Sequence, residues 1–135
     1  MVATTGAQLL PHTAVQTLIT ELLPITTVLT PNISEAQLLA KEAGTPFDNI
    51  STLDDMQKLA EFIARLGPRY VLLKGGHLPL SRDGVVANNH VDSNVVVNVL
   101  CGGGETWRFE SEYIESRNTH GTGCSLACEY DNILT

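Results

Sequence analysis

Tyr70-Val71-Leu72-Leu73-Lys74-Gly75-Gly76-His77 is an unbroken apolar run that ends on a lysine and two glycines. Four apolar residues with no polar alternate fit a strand buried on both faces, as in parallel sheets. The residues upstream supply the helices such a strand needs. Leu53 to Leu66 sets Met56, Leu59, Ala60, Ile63 and Leu66 on one helical face, with Thr52 and Asp55 placed to cap it and Gly67-Pro68 to close it. Asn32 opens an earlier helix as an N-cap, with Glu35 three residues on as in a capping box, and Gly44 ends it. Thr26 to Thr30 is β-branched and reads as a short strand stopped by Pro31. Leu9 to Leu23 has helical apolar spacing at Leu10, Ala14, Val15, Leu18, Ile19, Leu22 and Leu23, with Pro11 in its first turn and Pro24 ending it.

Downstream, Leu78 to Asn94 is polar and rich in glycine and asparagine, an excursion at the sheet's edge. Val95 to Leu100 is strongly β-branched, Gly102-Gly103-Gly104 is a hairpin turn, and Thr106 to Phe109 returns with Trp107 and Phe109 on one face. The alternation of strands and helices predicts an α/β fold with a mainly parallel core. Two signs suggest a missing N-terminal part. Met1-Val2-Ala3 resembles the tail of a strand, followed at once by Thr4-Thr5-Gly6. A sheet of so few strands would also leave an uncovered edge.

A length of 135 residues suggests one domain, and 43% hydrophobic against 17% charged residues is enough for a core. A net charge of −7 argues against nucleic-acid binding, which needs a basic footprint. No apolar run reaches the length of a membrane span, and no basic-then-apolar leader begins the chain. Three cysteines, Cys101, Cys124 and Cys128, are an odd number without secretory marks, so the expectation is reduced thiols in a cytoplasmic protein.

Ligands of open α/β sheets bind beyond the carboxyl ends of strands. Three marked stretches fall at such ends: Thr30 to Glu35, Lys74 to His77, and Asn118 to Cys124. The last belongs to Asn118-Thr119-His120-Gly121-Thr122-Gly123-Cys124-Ser125-Leu126-Ala127, a glycine-containing loop turning into a helix. Amides without helical partners and the helix dipole favour a bound anion there. Cys124 in that first turn would be biased toward thiolate. Lys74 could neutralise phosphate oxygens, and Asn32 with Glu35 could hold the waters of a magnesium ion. Together these outline phosphoryl transfer. Blander readings stand beside this one. Asn32 with Glu35 is a capping box on sequence alone, Gly121 to Gly123 is a capped tight turn, and Lys74 at a strand end points to solvent. His120, Cys124 and Cys128 are spaced by four, which leaves a zinc site or a Cys–His pair conceivable.

Three segments together resemble the hydroxymethylpyrimidine/phosphomethylpyrimidine kinases of thiamine biosynthesis, a ribokinase-like family. They are Leu29-Thr30-Pro31-Asn32 with Glu35-Ala36, Val71 to His77, and Arg117 to Ala127. The cysteine in the last motif, where most ribokinase relatives have aspartate, is specific to this branch, and the long excursion and the hairpin look most like fungal forms. The resemblance implies a ribokinase-like three-layer α/β/α domain, incomplete because its N-terminal half is missing. Residues 1–127 would be the C-terminal part of the kinase domain and 128–135 a divergent tail. It implies ATP and magnesium as cofactors. It assigns Gly121, Thr122, Gly123 and Cys124 to an anion hole, with Cys124 in the general-base position. Asn32 and Glu35 would organise metal and phosphates, and Lys74 would contact phosphate. The implied activity is phosphorylation of hydroxymethylpyrimidine and its monophosphate. The alternative is a catalytically impaired fragment that retains a phosphate-binding or nucleotide-binding loop, self-associated or paired with a full-length copy.

Overall fold

The computed structural model describes residues 10–76 and 95–112. The first helical element begins as α1 at His12–Thr17, widens into a π turn over Leu18–Leu22, and tightens to a 3-10 turn at Leu23–Ile25. Pro24 sits in that final turn, where its missing N–H costs little. The π turn has a packing consequence. It carries the chain around the axis more slowly than 3.6 residues per turn. Val15 and Leu23 are fully buried, but Leu22, due inward on a regular helix, emerges 52% exposed.

Strand β1 is Val28–Leu29, shorter than the β-branched run predicts. Helix α2, Ile33–Glu42, follows it. Asn32 Oδ1 accepts the Glu35 N–H at 2.8 Å, and the Glu35 carboxylate accepts the Asn32 N–H at 3.0 Å. At the other end Gly44 donates to the Lys41 carbonyl and Thr45 to that of Ala40, each at 3.0 Å, closing the helix in a Schellman motif. Helix α3, Leu53–Ala64, has the same reciprocal cap, made by Thr52 and Asp55. Strands β2 (Tyr70–Leu73), β3 (Val95–Gly102) and β4 (Glu105–Glu112) complete the described elements. Gly103 and Gly104 form the β3–β4 turn with φ of 60° and 80°. A two-residue turn with both angles positive matches the twist of the strands it joins, and only glycine takes both without strain.

The sheet order is β1-β2-β3-β4. The mainly parallel core of the sequence reading is corrected for the described residues, where the sheet is mixed. β1 and β2 run parallel, while β2–β3 and β3–β4 are antiparallel. The reason is local: the glycine turn folds β4 back on β3, and β3 itself runs against β2. The α/β class and the ribokinase-like architecture stand.

One face of the sheet carries Val71, Leu73, Val97, Val99 and Cys101. These pack with Ala36, Leu39 and Ala40 of α2, with Met56, Leu59, Ala60 and Ile63 of α3, and with Val15 of α1. The four leading residues of the predicted α3 face are thus all in the core. Each of the larger ones, Met56, Leu59 and Ile63, contributes roughly 1.5–3 kcal/mol by leaving water. Leu72 and its register partner Leu100 point to the opposite face and are buried as well, whereas Trp107, which pairs with Leu100 from β4, is exposed. Met1 to Leu9, His77, the excursion from Leu78 to Asn94 and everything after Glu112 lie outside the described residues.

Candidate active site

The parallel pairing of β1 and β2 does more than close a sheet. Val28 pairs with Tyr70 and Leu29 with Val71, and the same register reappears beyond Thr30-Pro31 as a bridge between Asn32 and Lys74. The Lys74 N–H donates to the Pro31 carbonyl at 2.9 Å. Two of the three marked strand ends therefore meet backbone to backbone. Asn32 is at once the bridge residue and the N-cap of α2, so the positive end of that helix opens beside Lys74. Lys74 is half-buried, with no ion-pair partner among the described residues.

The chain leaves the ladder immediately after Lys74. Gly75 is buried, and a Cβ there would lie 2.1 Å from the Val97 carbonyl oxygen and 3.0 Å from the Met56 methyl. The Gly75 N–H donates to Asn98 Oδ1 at 3.0 Å. Gly75 is thus more than the turn glycine its sequence suggests. Asn98 was missed by sequence reading altogether. Its only signal is that asparagine is unfavourable within a β-branched run such as Val95 to Leu100.

The capping reading of Asn32 and Glu35 holds as geometry, because both reciprocal bonds are present. No cluster of three or more acidic, histidine or cysteine side chains able to grip a metal directly occurs among the described residues. Carboxylate and carboxamide oxygens such as those of Glu35 and Asn32 are acceptors for the coordinated waters of a hydrated magnesium. Gly121, Thr122, Gly123 and Cys124, with His120 and Cys128, lie outside the described residues.

A hollow of about 420 Å³ lies at the far end of β2, lined by Glu61, Arg65, Arg69, Cys101 and Glu105 among others. It is remote from Lys74, because Gly102 on its wall pairs with Tyr70, the first residue of β2. Cys101 beside it is a buried thiol whose pKa is pushed up by burial, which makes it a small core residue rather than a nucleophile. Among the described residues no helix is long and apolar enough to cross a membrane.

The profile of the phosphomethylpyrimidine kinase family matches residues 1–129. The chain belongs to that family. A putative hydroxymethylpyrimidine/phosphomethylpyrimidine kinase of Schizosaccharomyces pombe is 43% identical over 134 residues, covering 99% of this chain and 24% of the relative. Among solved structures, a pyridoxal kinase of Bacillus subtilis in complex with ADP superposes with a TM-score of 0.67 at 32% identity. That match covers 93% of this chain and 41% of that one. The phosphomethylpyrimidine kinase of Clostridium difficile gives a TM-score of 0.59, also at 32% identity, over 83% of this chain and 40% of its own. The chain thus spans 24% of the Schizosaccharomyces pombe relative and 41% and 40% of the two solved chains.

Proposed function

We propose that this chain serves the ATP-dependent phosphorylation of 4-amino-5-hydroxymethyl-2-methylpyrimidine and of its monophosphate in thiamine biosynthesis. The observation that supports the reading is the backbone bridge between Asn32 and Lys74, which puts the N-cap of α2 and Lys74 side by side at the shared end of two parallel strands. Family membership supports it, and the ADP complex of a similar kinase supports a nucleotide as phosphoryl donor. Residues 1–127 then act as the C-terminal part of a kinase domain, with 128–135 a divergent tail.

In the first reaction the pyrimidine hydroxymethyl oxygen attacks the γ-phosphorus of ATP. The bond from that phosphorus to the bridging oxygen breaks, and ADP leaves. Little covalent chemistry falls to the protein, so positioning and charge neutralisation supply most of the rate. Lys74 draws the transferring phosphoryl group toward the strand ends and offsets its charge. The amides of Gly121, Thr122, Gly123 and Cys124 cradle its oxygens. Cys124, as its thiolate, accepts the hydroxyl proton. The second reaction uses an already ionised phosphate as nucleophile and scarcely needs that base. Asn32 and Glu35 would hold magnesium through its waters, and the ion would supply charge neutralisation at the phosphates.

The test is direct. The purified chain is incubated with hydroxymethylpyrimidine, ATP and magnesium, and the phosphorylated pyrimidine is separated by chromatography, with pyridoxal as a parallel substrate. Phosphorylated hydroxymethylpyrimidine supports the proposal. Nucleotide binding without turnover assigns the chain to the impaired-fragment alternative. Turnover of pyridoxal alone corrects the substrate.

A further inference from the structure

We propose that Asn98 is a positioning residue for Lys74, holding the strand end from which the lysine reaches phosphate. The inference rests on the phosphate-contacting role given to Lys74 above. β2 and β3 keep register as far as Leu73 with Val99, and the next residue of β3 is Asn98. At Gly75 the chain turns out of the ladder, with its Cα packed against the Val97 carbonyl oxygen where a Cβ would stand only 2.1 Å away. That departure takes the Gly75 N–H from the backbone partner a continuing strand would provide. A buried amide left without an acceptor is costly, so a side chain must replace the missing carbonyl. Asn98 Oδ1 does so at 3.0 Å. The orientation of the Asn98 amide follows, since an N–H can be met only by its oxygen.

Lys74 is consequently fixed from two sides. Its own N–H is held by Pro31 of the β1 extension, and the peptide after it by Asn98 of β3. A long ammonium side chain has many rotamers, and its value as a phosphate ligand depends on where its stem starts. Asn98 fixes that starting point from the β3 side, although no ligand need touch it. The cost of placing asparagine inside a β-branched strand is then offset by a positioned lysine.

The experiment uses the full chain, with magnesium-ATP affinity read by calorimetry and Gly75 amide exchange read by NMR. Asn98→Leu keeps the side chain's shape and removes the acceptor. It is expected to speed Gly75 exchange and to weaken ATP binding about fivefold, the scale of one net hydrogen bond. In a Lys74→Ala background the same substitution should cost no further affinity, because the residue it positions is gone. Asn98→Asp keeps the acceptor at the same reach, makes the bond charge-assisted, and should slow Gly75 exchange below that of the unsubstituted chain. Unchanged ATP affinity in Asn98→Leu while Lys74→Ala weakens it overturns the proposal and leaves the site reading intact. Losses that multiply in the double variant, or Gly75 exchange indifferent to Asn98→Asp, also overturn it. If Lys74→Ala binds ATP as the unsubstituted chain does, the site reading itself fails and takes this proposal with it.

Discussion

Lys74 and Gly75 show how unevenly a sequence reveals its residues. Lys74 was legible because a lysine closing an unbroken apolar run must stand at the carboxyl end of a buried strand. The use of Gly75 was not, because its constraint is the Val97 carbonyl, brought up by a strand 22 residues later in the chain. Asn98 was hidden for the same reason: local propensity can say that asparagine is out of place in β3, but only the fold says what it answers. Gly75→Ala puts a methyl 2.1 Å from a backbone oxygen that has little freedom to retreat. Overpacking of this kind costs about 1–3 kcal/mol. The urea midpoint should fall by a corresponding amount with the slope unchanged. ATP affinity should fall as well, since the strand end that carries Lys74 has to shift. A Gly75→Ala variant as stable as its parent would contradict the close approach.

Helix starts were the best-read elements because their chemistry is local. Asn32 with Glu35 and Thr52 with Asp55 were recognisable three residues apart, and both are complete capping boxes. The π turn was not recognisable, since Leu18 to Leu22 carries the same apolar spacing as a regular helix. The two caps also offer a controlled comparison of structure against function. Thr52→Ala and Asn32→Ala each remove one side-chain acceptor from an N-terminal amide, and each should cost about 1 kcal/mol of stability. Only Asn32 is bridged to Lys74. Thermal unfolding should therefore treat the two variants alike, while calorimetry with magnesium-ATP should find binding weakened by Asn32→Ala and untouched by Thr52→Ala. Equal ATP affinities in the two would return Asn32 to a purely capping role.

At the scale of the molecule, the fold class was carried by the order of elements, whereas the mixed sheet was harder to read. Strand direction is set by how connections run, and the connection from β2 to β3 passes through the polar excursion, which announces no direction. What ties the first helical element to the rest is equally non-local. The Glu42 carboxylate at the end of α2 meets His12 of α1, and Gln16 donates to both the Glu42 carbonyl at 2.8 Å and its carboxylate at 3.1 Å. The hydrogen bonds from His12 and then Gln16 hold the Glu42 pKa below its ordinary value of 4.5. Asp55 is lowered from 3.8 in the same sense, chiefly by the Ser51 backbone N–H and also by Thr52. A carboxylate with a folded pKa below its unfolded one binds fewer protons in the native state. Its stabilising effect is therefore complete above the unfolded value and fades as pH drops through the folded one. Stability should be level from neutrality down to about pH 5 and decline below it as these carboxylates take up protons. Glu42→Gln keeps the shape and abolishes the titration. Its unfolding free energy should lie below that of the parent at pH 7, and the gap should narrow steadily as both are measured toward pH 3. A gap that stays constant with pH would mean that the charge on Glu42 plays no part in holding α1 to α2.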